Sequence, residues 1–332
     1  MEWTADVSAG AWIRERLDGG LSASMHGVVP RGFPAYARIF HPATRDRPVG
    51  MPWPPLPSRA HAREWAAFDD AAPEIDVERV SWADASAAFG TVMHPLAQWG
   101  DLVERFRQAE GEDGPRDAAG WRYHAPDVGS LAPDVVARAA ARLAEHTSVP
   151  DGAVVALWTG WGGLLGHVGD GPSRAFVQLT DDPADPETLE RHNAMLSRSI
   201  PDRFNNVFRQ PSWQPGILSD EVSRGPRLEL PAREYILFTG SVAELARPDW
   251  VLDVPWRDRV AEAHGFAPDA QSPSLVWPAD RTWVLVTEVD FDSTVVGGSR
   301  ELIAALCADS GLEALRIPAG ADLTWDGDTI NR

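Results

Sequence analysis

Three carboxylates stand at alternate positions near the C-terminal end of the chain. They belong to the most strand-like stretch of the sequence, which covers residues 282–292 and begins Thr-Trp-Val-Leu-Val. Because side chains alternate between the two faces of a strand, a strand over this range projects Glu288, Asp290 and Asp292 to one side, about 6.6 Å apart. Like charges at that spacing repel one another unless they face water, pair with arginine or hold a cation.

This group of carboxylates favours one of two kinds of chemistry. Carboxylate oxygens suit a hard divalent metal ion, with oxygens from neighbouring loops completing its shell. They also suit the roles of general acid and general base. The alternative is an acidic strand end that only faces solvent, although sites in α/β proteins commonly lie where a strand ends. We expect Arg281 and Arg300, the nearest arginines in sequence, to join this surface and either support the site or neutralise it.

Three further polar residues are candidates to support a site. Ser299 follows two glycines and opens a predicted helix, so it either helps to present backbone N–H groups to an anion or is an ordinary helix N-cap. His41 and His94 each precede a proline at the end of a predicted element. They are structural histidines, or they belong to a site if the N-terminal region brings them together.

Composition excludes several mechanisms. All 30 basic residues are arginine, so the chain has no lysine for a pyridoxal phosphate anchor, another Schiff base or a nucleotide-binding P-loop. Cys307 is the single cysteine, which excludes an intramolecular disulfide and a multi-cysteine zinc or iron–sulfur site. It lies in an apolar helical run and is expected to pack as a small hydrophobic side chain. The sequence identifies no cofactor and leaves a divalent metal open.

The charge of the chain bears on its partners. It carries 49 acidic residues and a formal net charge of -19. The resulting field repels phosphate backbones and anionic lipid surfaces, so we expect neither a nucleic-acid partner nor a membrane partner. A protein partner or a small ligand remains open, as does the oligomeric state. The N-terminal residues lack the pattern of a secretory signal and no apolar run reaches about 18 residues, so the expected location is the cytoplasm.

Strand-like and helical segments both occur along the chain and predict an α+β protein. We expect a mixed or antiparallel β-sheet with packed helices and long loops rich in proline and glycine. The predicted parts are an N-terminal α+β region at 1–108, a linker or long surface loop at 109–132 and a C-terminal α+β region at 133–332. The two α+β regions form separate domains or pack as one unit. Residues 43–57 are rich in proline and arginine without periodicity and are predicted to be a loop.

Tryptophan is unusually frequent, because its 15 copies exceed the 11 Phe and 3 Tyr together. Most tryptophans lie in apolar patterns and are expected in the core. Exposed tryptophans are suited to stacking on sugars or to packing against a protein partner. Four lie in polar or proline-rich segments and are the candidates for exposure: Trp53, Trp121, Trp213 and Trp256.

Several oxygen-bearing side chains lie close together at the C-terminus. They are Asp322, Asp326, Asp328 and Asn331. Their spacing resembles a loose cation-binding loop. It lacks the glycine placement and the terminal glutamate of an EF-hand, so that type of calcium site is not indicated.

Several stretches of the chain occur together in a recognisable combination. They are Val29 to Pro42, Trp82-Ala83-Asp84 with His94-Pro95 and Gln98-Trp99, His146-Thr147 leading to Leu157 through Gly162, Leu230-Pro231 with Arg233 and Tyr235, and Ser272 through Gly298-Ser299. In this combination the chain resembles a family of uncharacterised proteins from high-GC actinobacteria, and the likeness extends over most of the chain from about Val29 onward. The resemblance implies no activity, ligand or catalytic residue.

No complete catalytic constellation can be assembled from these residues. The leading prediction is therefore an acidic binding or interaction protein without catalytic activity. The alternative is a metal-assisted hydrolase that uses Glu288, Asp290 and Asp292.

Overall fold

Short apolar strands build one large antiparallel sheet at the centre of the protein. The structure, a computed structural model, describes residues 1–19, 24–103, 114–169, 171 and 211–332. Its strands are β1 (Glu2–Thr4), β2 (Ala35–Phe40), β3 (Ala43–Pro48), β4 (Ile75–Val80), β5 (Arg122–His124), β6 (Ala153–Trp158), β7 (His167–Gly169), β8 (Ser212–Gln214), β9 (Leu228–Glu229), β10 (Glu234–Gly240), β11 (Leu275–Pro278), β12 (Val284–Thr287), β13 (Ser293–Gly298) and β14 (Ala314–Ile317). The central sheet has the order β1-β10-β6-β11-β12-β13-β2-β14, and β9 pairs with β10. Its pairings are antiparallel, which confirms the α+β prediction.

The helices are mostly short. Those described are α1 (Ala11–Glu15), α2 (Ala62–Ala71), α3 (Trp82–Phe89), α4 (Trp99–Leu102), α5 (Pro133–Ala144), α6 (Asp220–Arg224), α7 (Val242–Leu245), α8 (Arg259–Ala263) and α9 (Arg300–Ala308), with 3₁₀ helices at Val7–Gly10, Met25–Gly27 and Trp250–Leu252. Within the described residues, no helix has the length and apolar character needed to cross a membrane.

Both faces of the central sheet are buried. On one face, Val155 and Phe238 belong to a core that includes apolar side chains of α5, α7 and α9. On the other face, the neighbouring residues Ala156 and Leu237 belong to a core that includes Trp12 of α1. Because successive side chains enter different cores, the central strands are apolar without interruption.

A smaller sheet with the order β4-β3-β5 stands beside the central one and corrects a prediction. Part of the predicted loop at 43–57 is β3, which pairs with β4 on one side and β5 on the other. Arg45 lies opposite Glu78 and binds it, while Asp46 accepts a hydrogen bond from Arg122 Nε at 2.8 Å. Cross-strand ion pairs therefore take the place of the apolar alternation from which a strand is recognised.

The segment predicted as a linker or long surface loop at 109–132 also needs correction where it is described. Residues 109–113 lie outside the described residues. The rest contains β5, and its Trp121 and Tyr123 are buried in a third core together with α3 and α4. In the central sheet, β2 from the predicted N-terminal region lies between β13 and β14 from the predicted C-terminal region. The two regions therefore share one sheet.

Candidate functional site

The three carboxylates that the sequence singles out lie in a turn rather than on a strand. β12 ends at Thr287, and β13 begins at Ser293 and runs back beside it. The N–H of Phe291 donates to the carbonyl of Glu288 at 3.0 Å, which closes the turn. The prediction of one strand over 282–292 was therefore wrong, and the alternation that would align the side chains is absent. An apolar residue between each pair of acids imitates a strand even where the chain reverses.

Glu288 and Asp290 share one arginine. Glu288 is 4% exposed and lies 3.0 Å from Nη2 of Arg233, whereas Asp290, with 75% of its side chain exposed, is bound by the same nitrogen. Burial raises the pKa of Glu288, and the charge of Arg233 opposes that rise. The guanidinium also lies 5.5 Å from the ring centroid of Trp158. These contacts make a structural ion-pair network in which two carboxylates share one guanidinium.

Asp292 belongs to a different ion pair. Its Oδ1 lies 3.1 Å from Nη2 of Arg38, a side chain that is almost completely buried. Arg38 also donates to Ser293 Oγ and to the carbonyl of Ala97, both at 2.7 Å, and its guanidinium carbon lies 4.6 Å from the ring centroid of Phe40. Burial raises the pKa of Asp292, and Arg38 counteracts this. The three predicted carboxylates are thus divided between two guanidinium groups.

The two arginines expected beside these carboxylates lie elsewhere. Arg281 precedes β12 and Arg300 follows β13, so both stand at the end of the hairpin opposite to its turn. The expectation that they join Glu288, Asp290 and Asp292 was wrong because the chain reverses after Thr287. Ser299 accepts a hydrogen bond from Leu302 N at 3.1 Å, which is the behaviour of an ordinary N-cap of α9.

The described part of the chain holds no group of three His, Cys, Asp or Glu residues placed to bind a metal ion. The geometry on which the metal-assisted hydrolase was predicted is therefore not found there. Cys307 is half-buried, and burial raises the pKa of its thiol, which keeps it in the unreactive protonated form.

The two candidate histidines bind to separate partners. His41 is buried, with Nδ1 2.7 Å from the carbonyl of Asp127 and Nε2 3.0 Å from Thr294 Oγ1. Burial lowers its pKa to about 4, so the ring is neutral at pH 7. His94 Nε2 instead lies 2.9 Å from Oδ1 of the completely buried Asp328. One histidine thus supports the β12–β13 hairpin and the other holds the C-terminal segment.

The acidic residues at the C-terminus act as turn formers and not as a cation loop. Asp322 Oδ1 accepts hydrogen bonds from the N–H and the hydroxyl of Thr324 at 2.9 and 2.6 Å. Asp328 accepts from the N–H groups of Ile330 and Asn331 at 2.9 and 3.0 Å, and these bonds lower its pKa to about 2. Gly327 closes the turn, because a Cβ there would lie 2.3 Å from the carbonyl oxygen of Asp322.

This hydrogen-bonded turn presents Trp325 to solvent. The side chain is 78% exposed, the highest value among the large hydrophobic residues described. The four tryptophans predicted as candidates differ from it, because Trp53, Trp121 and Trp256 are buried and Trp213 is only partly exposed. Sugar stacking through those four is therefore not supported. The aspartates and the glycine around Trp325 are turn signals that could have indicated its exposure.

Three exposed apolar residues belong to the C-terminal segment and to the loop that it contacts after α3: Val92, Trp325 and Ile330, which we call the C-terminal patch. Val92 is 53% and Ile330 56% exposed. The side chain of Asn331 exchanges two hydrogen bonds with the backbone of Val92, at 2.8 and 3.0 Å, and thereby holds Ile330 beside it. Arg332 donates to the carbonyl of Trp325 at 2.8 Å. The backbone under the patch is therefore held in place by hydrogen bonds.

Acidic side chains outnumber the single arginine beside the C-terminal patch. Asp326 follows Trp325 and is largely exposed, although Arg332 binds it at 2.7 Å. Asp101 interacts with the same groups: burial and the neighbouring Asp328 raise its pKa, Arg332 lowers it, and Asp326 raises it to a smaller extent. The patch therefore combines apolar side chains with a negative rim, an arrangement that complements a partner with apolar and basic residues.

Comparison with known proteins adds no family to this geometry. No protein-family model matches the chain, and neither a curated protein nor a solved structure matches it. The resemblance to an actinobacterial family therefore stays a prediction.

Proposed function

We propose that this protein is a non-catalytic binding protein that takes a protein partner on the C-terminal patch. The observation that carries the proposal is the exposure of Trp325 on a turn that hydrogen bonds close. A large aromatic side chain gains free energy on burial, and tryptophan is enriched among the residues that dominate protein interfaces. A preformed turn also lowers the entropic cost of binding.

The electrostatics of the patch define the partner. Asp326 and Asp101 give the surface a negative rim, and the whole chain carries -19 charges. The partner we propose presents an apolar pocket for the indole of Trp325, flanked by lysine or arginine. A second copy of this chain is disfavoured, because a symmetric contact would bring the acidic rims of both copies together.

The proposal also covers the cellular location of the protein and the class of partner that it does not bind. We place the protein in the cytoplasm, in agreement with its single cysteine. Nucleic acid is not a proposed partner, because a field of this sign repels phosphate groups.

Selection from a random peptide library displayed on phage tests the proposal. The purified full-length chain is the bait, and the expected winners are peptides with net positive charge that contain aromatic or aliphatic residues. The selected peptides, made by synthesis, should bind Trp325→Ala about 30-fold more weakly than the unaltered chain. This loss corresponds to about 2 kcal/mol, as expected for an interface hot spot. Their affinity should also fall as salt is added, because the rim is exposed.

Phe266→Ala is the matched control, since Phe266 is an exposed aromatic residue outside the patch. It should bind the selected peptides as the unaltered chain does. Circular dichroism of both variants establishes that they are folded. Peptides that bind equally well to Trp325→Ala would rule out the patch, and sedimentation that shows a dimer abolished by Trp325→Ala would replace the foreign partner with a second copy.

A further inference from the structure

Two arginine side chains lie against the same tryptophan. Trp12 belongs to α1, and Arg16 follows it at the spacing of neighbours on one face of a helix. The guanidinium carbon of Arg16 lies 5.2 Å from the centroid of the Trp12 ring, and that of Arg281, in the turn between β11 and β12, lies 5.7 Å from it. Trp12 is only 5% exposed, whereas both arginines are exposed. Two positive charges therefore reach solvent beside one buried ring.

The backbone of Arg281 has a conformation that glycine usually provides. Its φ is +55°, and its N–H donates to the carbonyl of Pro278 at 2.9 Å, which closes the turn. A residue with a Cβ is less stable than glycine in this left-handed region. The contact described for its side chain is the one with Trp12. The turn thus keeps an arginine against the local conformational preference, which indicates a use for its charge.

Two acids close in sequence to these arginines bind other groups. Oδ2 of Asp280 accepts hydrogen bonds from the N–H and the hydroxyl of Ser148 at 2.9 and 2.8 Å. Oδ1 of Asp18 lies 2.6 Å from Nε of Arg31. In the part of the chain that the structure describes, neither guanidinium beside Trp12 forms an ion pair or a hydrogen bond. Both positive charges are therefore available to a ligand.

We propose that Arg16 and Arg281 bind a small phosphate monoester beside Trp12. A phosphate monoester carries roughly two negative charges at pH 7, which match two guanidinium groups, whereas a carboxylate would leave one of them unpaired. Both arginine side chains are long and exposed, so they can close on a phosphate group held between them. The ring centroid of the partly exposed Phe33 lies 5.9 Å from the guanidinium carbon of Arg16 and provides an apolar surface for the organic part of the ligand.

The overall charge of the protein restricts this ligand to a small molecule. The net charge of -19 repels the many phosphates of a nucleic acid or of an anionic membrane surface. A single phosphate group is instead governed by the two guanidiniums next to it. The site lies outside the C-terminal patch and does not depend on the function proposed for that patch.

Calorimetric titration of the full-length chain at low ionic strength tests the proposal with two probes. Phenyl phosphate carries the proposed group on an aromatic ring, and benzoate carries a single charge on the same ring. We expect one equivalent of phenyl phosphate to bind saturably and benzoate to bind at least about fivefold more weakly. Benzoate that binds as tightly as phenyl phosphate would overturn the proposal, as would the absence of saturable binding of phenyl phosphate below about 10 mM.

Charge-removing variants locate the binding. Arg16→Gln and Arg281→Gln should each weaken the binding of phenyl phosphate at least about fivefold. Arg63→Gln on α2 is the matched control, since Arg63 is an exposed arginine far from this site in sequence and should leave the affinity unchanged. Circular dichroism establishes that the variants are folded.

Arg281→Gly separates a binding role of Arg281 from a structural one. Glycine fits the left-handed backbone at this position, so the variant should unfold at a temperature no lower than that of the unaltered chain and yet bind phenyl phosphate at least about fivefold more weakly. An affinity that is retained in Arg281→Gly or in Arg16→Gln would show that the guanidiniums serve the packing of Trp12 and would overturn the proposal.

Discussion

The turn between β12 and β13 differs from the C-terminal patch in which side chains are exposed and in what binds the charged ones. In the turn, carboxylates that look reactive in the sequence are bound by Arg38 and Arg233, and Glu288 is almost completely buried. In the patch, polar groups bind the backbone, and Trp325 is the most exposed of the apolar side chains. The comparison teaches that charged residues can be bound within the fold while apolar residues remain exposed for recognition.

The largest effect should come from removing the buried guanidinium of β2 that binds the turn. Arg38→Met should lower the free energy of unfolding by about 3–5 kcal/mol, because it leaves Asp292 in a largely buried position without its partner. Trp325→Ala should change the same quantity by less than about 0.5 kcal/mol, because its side chain is exposed. Urea unfolding of both variants measures the contrast. Similar losses of unfolding free energy in the two variants would contradict the contrast between the turn and the patch.

The stability of the chain should depend on pH through His41, the buried histidine that binds Thr294 on β13. Burial lowers the pKa of His41 to about 4, so below pH 6.5 the unfolded chain binds a proton that the folded chain does not. His41 therefore contributes stability above pH 6.5 that is lost toward pH 4, about 3 kcal/mol in all. His41→Gln has no imidazole to titrate. Its free energy of unfolding should therefore not show the loss between pH 6.5 and pH 4 that His41 causes. Parallel curves for the two proteins over this range would show that the ring is not held neutral.

A smaller pH effect on stability should come from Asp328, which holds the segment that carries the patch. Here the fold stabilises the charged form of the side chain, whereas at His41 it stabilises the neutral form. Hydrogen bonds lower the pKa of Asp328 from an ordinary 3.8 to about 2, so its stabilisation is present above pH 4 and is lost as the pH falls toward 2. The loss amounts to about 2 kcal/mol. The difference in unfolding free energy between the unaltered chain and Asp328→Asn should shrink over this interval. A constant difference would mean that the charge of Asp328 does not hold the segment.

The smallest effect is expected at the exposed acid of the turn. Asp290→Asn should alter the free energy of unfolding by less than about 0.5 kcal/mol, because a surface ion pair contributes little. Calorimetry with Mg²⁺, Mn²⁺ and Ca²⁺ should detect no binding to the unaltered chain that the substitution removes. A cation that binds the unaltered chain and not Asp290→Asn would restore the metal-assisted alternative.

Parts of the fold could be predicted because they follow from local pattern. The apolar run of β6 and the apolar stripe of α5 are visible in the sequence, and both lie in the core. The strand β3 could not be recognised, because Arg45 and Asp46 are matched by partners on β4 and β5 that are distant in the chain. Its stability depends on those pairings and not on its own pattern.

The candidate site was predicted less well than the fold, because it too depends on contacts between residues that are distant in the chain. The acids after Thr287 alternate with apolar residues as a strand would, but the return of the chain along β13 is a tertiary event. Trp325 carried a local signal that was assigned to a cation loop: Asp322 and Gly327 form the turn around it. Whether a polar residue is bound or available depends on contacts across the fold, which spacing alone does not reveal.

Photocrosslinking from the patch tests the central claim most directly. A photoreactive phenylalanine analogue replaces Trp325 in one full-length chain and Phe266 in another, and each is irradiated with a basic, aromatic-containing peptide obtained by selection on the unaltered protein. The account predicts a crosslinked product from position 325 that excess unlabelled peptide suppresses, and none from position 266. Equal crosslinking at both positions, or crosslinking confined to position 266, would contradict the claim that Trp325 is the centre of a binding surface.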